Sequence, residues 1–328
     1  MERRLRHVSY LRLGDGSRRR QIWAAHRFHM EAIYLQAGRH GGESGRAIDP
    51  EGLMLLALKW LLRGLGLYRR GARNAQDIRL RELELPFATL PPAFDGFTIL
   101  HITDLHMDRM PGLVERVLEV WNGREVDLCV LTGDYRDRAH VATETVVDGL
   151  RKLVGGIRAR RGFLAVLGNH DPCEMVAPME AMGVRMLINE GLRISKEGQH
   201  LRIVGTDDVH AYRTEDAAAA FEGTSAGFRI ALVHSAEFYD VASRRGVDLY
   251  LCGHTHGGQV CLPGGRALSR SLRRGRAFYR GIWRYRGMVG VTNHGAGTSG
   301  LPVRFNTRGE LLVLRLRRKE PQARRTDR

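Results

Sequence analysis

A chain of 328 residues that is 43% hydrophobic can bury a sizeable core, which excludes a fibrous or wholly disordered protein. Its 52 Lys and Arg against 36 Asp and Glu leave a net charge of +16, which favours anionic partners: nucleic acid, anionic lipid headgroups or phosphorylated substrates. Four scattered cysteines, Cys129, Cys173, Cys252 and Cys261, lack zinc-ribbon spacing and are too few for a disulfide scaffold, so a reducing compartment fits.

Residues 1–50 are rich in Arg, His and Gly and include Arg18-Arg19-Arg20 and a turn-like GRHGGESGR stretch. No apolar run follows the early charges, so no signal peptide is expected, and the reading is a poorly ordered or peripherally packed basic arm. Residues 52–68, GLMLLALKWLLRGLGLY, are the most apolar stretch, yet Lys59 and Arg63 share one face of a helix there. A spanning helix wants about 20 mostly apolar residues. Each central basic residue costs roughly 2.5–3.5 kcal/mol while each Leu returns about 0.3–0.6. A helix lying in a membrane interface is therefore expected, with a helix packed on the catalytic domain or a single-span anchor as alternatives. Arg69, Arg70 and Arg73 would strengthen attachment to an anionic leaflet. Pro86, Pro91 and Pro92 mark a linker or an incoming strand. The division expected is a basic arm over 1–94, a catalytic domain over 95–318 and a basic tail over 319–328.

Beyond Phe97, short apolar runs end in Gly, Asp, Asn or His and alternate with amphipathic stretches. Strands are expected at 97–103, 127–133, 163–169, 201–207, 228–235 and 247–254, with helices near 112–121, 141–155, 174–182 and 235–245. This alternation predicts a layered α/β fold. The runs at 288–293 and 311–316 lack intervening helices and suggest a mixed or antiparallel second sheet.

Metal-binding residue types gather at the C-terminal ends of these strands, where open α/β sheets place their ligands. Asp104 and His106 follow the first strand, and in an extended segment alternate residues point the same way. Gly133-Asp134 follows the second; one carboxylate can bridge two cations. Gly168-Asn169-His170-Asp171 follows the third, offering an amide oxygen and an imidazole. His234 ends the fifth strand, and Gly253-His254-Thr255-His256 ends the sixth. Taken singly each is a plausible turn, cap or structural histidine; all five together are not. The mixture of imidazole and oxygen donors suits Mn, Fe or Zn better than Ca or Mg alone, and the number of ligands fits two ions.

The order D-x-H, G-D, G-N-H-D, H, G-H-x-H resembles the calcineurin-like metallophosphoesterases over roughly residues 97–316. The resemblance implies a four-layer α/β fold, two packed mixed β-sheets flanked by helices. It also implies two divalent metals, Mn first and Zn or Fe as alternatives. Asp104, His106 and His256 would hold one ion, Asn169, His234 and His254 the other, and Asp134 would bridge them. His170 would face the scissile phosphate, held by Asp171. GHTHGGQVCLP (253–263) and GAGTSGLPVRFN (295–306) further resemble the membrane-associated bacterial branch of YaeI- and YkuE-like proteins, which includes UDP-2,3-diacylglucosamine hydrolases of lipid A synthesis. His294 stands where that branch commonly has Arg.

The function expected is hydrolysis of a phosphodiester or pyrophosphate bond in a membrane-associated substrate such as UDP-2,3-diacylglucosamine. The setting expected is the cytoplasmic face of the inner membrane, with no protein partner. Residues 266–286 interleave many Arg with apolar residues and contain no acidic residue, so Arg274 and Arg276 are candidate substrate contacts. A nuclease is the alternative, since basic, aromatic-interleaved surfaces track phosphate backbones. A non-catalytic scaffold is the third reading, which the intact ligand set disfavours.

Overall fold

The computed structural model describes residues 18–36, 50–139, 141–222 and 227–319. The turn-like stretch at 38–46 and nearly all of the basic tail lie outside the described residues.

Among the described residues three helices come first: α1 (Arg18–Gln36), α2 (Pro50–Gly64) and α3 (Tyr68–Gln76). The strand β1 (Ile78–Phe87) follows, then β2 (Thr98–Ile102), α4 (Leu113–Trp121), β3 (Glu125–Val126) and β4 (Leu128–Leu131). Next come α5 (Thr143–Gly156), β5 (Arg158–Ala159), β6 (Phe163–Ala165), α6 (Val176–Ala181) and β7 (Val184–Met186). The second half holds β8 (Glu190–Lys196), β9 (Gln199–Gly205), α7 (Glu215–Ala219), β10 (Arg229–Leu232), α8 (Tyr239–Arg244) and β11 (Leu249–Cys252). It closes with β12 (Gly281–Tyr285), β13 (Met288–Thr292) and β14 (Gly309–Arg318).

Two six-stranded mixed sheets form, ordered β1-β14-β2-β4-β6-β7 and β12-β13-β11-β10-β9-β8. Strand alternation explains how each sheet is covered on both faces. Ile99, Leu128 and Val130 point inward and meet Ile203, Ile230, Leu232 and Leu251 of the facing sheet. Their neighbours Leu100, Cys129 and Leu131 point outward and pack under Val117, Trp121, Leu150 and Leu153 of α4 and α5. On the far side Ala231, Tyr250 and Cys252 pack with Phe238 and Ala242 of the α8 region. The result is the four-layer α/β arrangement. All four cysteines are buried free thiols.

Two expectations change. β1 runs parallel to β14 along its whole length, from Ile78 opposite Gly309 to Phe87 opposite Arg318, so the sheet begins upstream of the expected boundary at 95. β14 belongs to the first sheet rather than the second, between β1 and β2. Its residues 309–314 are all buried, as a central strand requires.

Candidate metal centre

The C-terminal ends of β2, β4 and β6 in one sheet and of β10 and β11 in the other converge. The turns leaving them bring two clusters together. Asp104, His106 and His256 each offer a ligand atom within 4.8 Å of one another, and so do Asp134, His234 and His254; all six side chains are buried. Asp134 joins the clusters, its Oδ2 lying 3.2 Å from His234 Nε2 and 3.6 Å from His106 Nε2. Asn169 Oδ1 lies 3.2 Å from the same His234 nitrogen.

Convergence does not come from extended backbone. Asp104 (φ 51°), His106 (41°), Asp134 (55°), His254 (72°) and His256 (51°) are all left-handed. Such residues cost roughly 1–3 kcal/mol each and persist where the surroundings over-determine them. The expectation that Asp104 and His106 lie on an extended segment is corrected accordingly: each pair turns sharply off its strand. Glycines make room for the turns. A Cβ at Gly168 would sit 2.2 Å from Asp134 Oδ1, and one at Gly253 would sit 2.1 Å from Asp104 Oδ2.

Three of the four rings are aimed by a carbonyl behind them. His106 Nδ1 donates to Arg136 O (3.1 Å), His234 Nδ1 to Thr132 O (2.7 Å) and His254 Nε2 to Ser271 O (2.8 Å). The opposite nitrogens therefore turn lone pairs inward, the arrangement that second-shell partners impose on metal-bound histidine. His106 Nε2 faces His256 Nε2 at 3.1 Å, and His254 Nδ1 faces His234 Nε2 at 3.2 Å. Ring nitrogens opposed at such distances, beside two buried carboxylates, fit cations.

The electrostatics agree. Burial pushes the Asp104 carboxyl up. Asp134 stays well below the usual carboxylate range despite its burial, because His234, His170 and His106 surround it. Burial and neighbouring positive groups keep His254 and His256 neutral, the form that binds metal. Burial pulls His234 down, but Asp134 outweighs it and raises it to about 10. Positive charge, as a proton or a metal ion, is what this position favours.

His170 is half-buried beside the clusters, with its backbone N–H on Asp134 Oδ1 (3.0 Å) and its Nδ1 on Asp137 O (2.9 Å). Burial lowers its pKa, but Asp134 and Asp137 outweigh that and raise it. Asp171 does different work from that expected. Its Oδ2 accepts from the backbone of Asp134 (2.7 Å) and Gly168 (2.8 Å), and its Oδ1 from that of Tyr135 (2.8 Å). It ties the two ligand loops together, and the Asp137 carbonyl orients the His170 ring.

The basic loop borders the centre through Ser271 and through Thr255, whose hydroxyl donates to Tyr279 O (2.6 Å). Arg274 is exposed and paired with Asp240 at 3.0 Å, whereas Arg276 is exposed on a short 3-10 turn and makes no ion pair among the described residues. His294 packs against Gly257, and its backbone N–H donates to Glu310 (3.0 Å).

Several residues escaped the motif reading. Asp137 lies 3.3 Å from His106 Nδ1, pairs with Arg109 and accepts from Ser299 Oγ (2.9 Å). His210 lies with its ring 4.4 Å from that of His254, tilted by 43°, and bonds Glu237 (3.1 Å). The contacts of α1, in the arm expected to be poorly ordered or peripherally packed, were not foreseen. Arg27 is buried beneath the catalytic loop, pairs with Asp207 and Glu31, and donates to the carbonyls of Gly168 (3.1 Å) and Asp171 (2.8 Å). Its guanidinium lies 3.4 Å over the Tyr212 ring, and Trp23 Nε1 donates to Asp207 (2.7 Å). An Arg at helical spacing from Trp23 was the only signal, and nothing local to it names Asp207, 180 residues away.

Two buried His/Asp clusters joined by Asp134 at the ends of a two-sheet sandwich are candidate sites for divalent ions, as in metal-dependent hydrolases. Residues 97–258 match the family of calcineurin-like phosphoesterases, and the chain carries a domain of that family. It is 26% identical to the metallophosphoesterase YkoQ of Bacillus subtilis over 272 residues, covering 79% of this chain and 97% of that protein. It is 29% identical to YkuE of the same organism over 256 residues, 73% of this chain and 86% of YkuE. Against the phosphodiesterase YaeI of Escherichia coli it is 26% identical over 176 residues, 51% of this chain and 63% of YaeI. The protein is a metal-dependent phosphoester hydrolase.

Proposed function

We propose that this hydrolase cleaves a phosphodiester or pyrophosphate bond in an anionic, membrane-associated substrate, with UDP-2,3-diacylglucosamine as the compound to test first. The observation that carries the two-metal chemistry is the placing of Asp134 Oδ2 between His106 and His234. In this reading Asp104, His106 and His256 hold one divalent ion, Asn169, His234 and His254 hold the other, and Asp134 reaches both. The mixed imidazole and oxygen donors favour Mn, with Zn or Fe as alternatives. Two bound ions would supply Lewis-acid stabilisation of phosphoryl oxygens and a water acidified towards neutrality. His170, its Nδ1 fixed by the Asp137 carbonyl, is the imidazole to stabilise those oxygens or protonate the leaving group.

A membrane surface as partner is supported by α2. Leu55, Leu58 and Leu62 pack with Leu301, Val303 and Val260, while Leu53, Met54, Leu56, Trp60, Leu61 and Leu65 remain exposed. Among the described residues no helix is long and apolar enough to cross a membrane. The 15 residues of α2 give about 22 Å, short of the roughly 30 Å core, so an interfacial position suits it. Val260 also accepts from Leu268 N–H (3.1 Å) and precedes Leu262, and both leucines are exposed. The apolar surface thus continues into the loop bordering the centre. Arg63, Arg69, Arg70 and Arg73 rim it and suit the anionic cytoplasmic leaflet.

The test is hydrolysis by the purified protein with Mn²⁺ of UDP-2,3-diacylglucosamine, bis-p-nitrophenyl phosphate and a single-stranded oligonucleotide in parallel. Release of UMP at a rate far above the other two supports the proposal. Turnover of the generic diester alone removes this lipid nucleotide, and preferred cleavage of the oligonucleotide turns the reading to a nuclease.

A further inference from the structure

Arg304 is fully buried and forms no ion pair among the described residues. Every hydrogen bond its guanidinium makes goes to main-chain carbonyls. Nη1 donates to His256 O (2.9 Å) and, more weakly, to Arg308 O (3.4 Å). Nη2 donates to His294 O (2.7 Å), Gly295 O (3.2 Å) and Gly297 O (2.8 Å).

Apart from that of Arg308, in Arg304's own loop, these carbonyls belong to two segments, and both bear on the same half of the centre. His256 is itself one of the clustered side chains. The 295–297 segment lies directly on the backbone of the other two: Ala296 N–H donates to Thr103 O (3.2 Å) and Gly297 N–H to Asp104 O (2.8 Å). That contact is so close that a Cβ at Gly297 would sit 2.0 Å from Leu105 O. One guanidinium thereby fastens the His256 turn to the strip that grips the Asp104–His106 turn. Its own main chain is anchored, with its N–H on Gly71 O (3.0 Å) and its carbonyl accepting from Asn74 Nδ2 (2.9 Å) of α3.

We propose that Arg304 is the positioning residue for the Asp104–His106–His256 half of the metal centre, setting the left-handed turns at Asp104, His106 and His256 through their backbones. Arg suits this work because its planar fork donates in several fixed directions at once, whereas a lysine ammonium is a single compact donor. The Asp134–His234–His254 half should depend on it less: the His254 N–H reaches Asp104 (2.9 Å), but the rings of His234 and His254 are aimed by Thr132 and Ser271, neither of which Arg304 touches.

The inference rests on the two-metal reading above, so the wild-type protein is measured beside the variants. Mn²⁺ bound per chain is determined by equilibrium dialysis for the full-length wild type, Arg304→Lys and Arg304→Met, with thermal melting to confirm folding. The wild type should bind two ions, and each folded variant should keep one tight ion and bind the other at least tenfold more weakly. Adding Arg304→Lys to His256→Ala should weaken that ion no further, because both changes act on one site, while adding it to His254→Ala should cost both ions. Two tight ions in the folded variants would overturn the proposal, as would equal weakening of both. So would a Lys variant that does not fold, since Arg304 would then hold the domain as a whole. A wild type binding fewer than two ions would instead sink the two-metal reading.

Discussion

His106, His234 and His254 each spend one ring nitrogen on a main-chain carbonyl and turn the other towards a carboxylate or a second imidazole. His170 is held by the Asp137 carbonyl but stands outside both three-residue clusters, so its loss should be chemical rather than structural. His170→Ala should lower kcat on bis-p-nitrophenyl phosphate by about 10²–10⁴-fold, the usual worth of general-acid help. Metal content by elemental analysis should stay at the wild-type value; full activity in this variant would remove His170 from the mechanism. Asp134 sits between the clusters, so Asp134→Asn, which removes its charge, should lower both metal content and rate. An unchanged two-ion content would contradict the shared role.

At the scale of elements, α1 carries more of the site than its composition suggests. Arg27 is buried, pairs with the buried Asp207 and donates to two carbonyls of the loop bearing Asn169 and His170. Breaking a buried pair by removing one partner costs about 3–5 kcal/mol, because the other is left uncompensated. Arg27→Met should therefore lose stability of that order in urea denaturation, together with activity as the 168–171 loop loosens. An unchanged denaturation midpoint would show that α1 is only laid against the domain.

For the molecule as a whole, one protein has to satisfy a surface and a site. The exposed face of α2 should bind vesicles containing anionic phospholipid. Trp60 should report this as a blue shift of its fluorescence. Leu61→Glu should reduce co-sedimentation with such vesicles while leaving hydrolysis of a soluble diester unchanged; equal binding by the variant would separate α2 from the membrane. Bound ions stabilise the fold by mass action, about 2.7 kcal/mol at a hundredfold excess over Kd. Removing them with EDTA should accordingly lower the melting temperature, and an identical melt with and without chelator would speak against a tightly held centre.

Much was legible in the chain itself. Buried strands advertise themselves as short apolar runs, and ligand-type residues at their ends mark where a cation could sit, because both signals are local. Asp104, His106, Asp134, Asn169, His234, His254 and His256 were readable in this way, and the structure gathers them. What holds them there was not. The left-handed turns, the use of Asp171 to tie loops rather than to orient His170, the placing of β1 and β14 in the first sheet, and the two buried arginines depend on partners far away in sequence. Arg27 meets Asp207 across 180 residues, and Arg304 acts on carbonyls, which every residue possesses. No pattern of side chains encodes which carbonyl a buried guanidinium will find; only the packed sheets decide it.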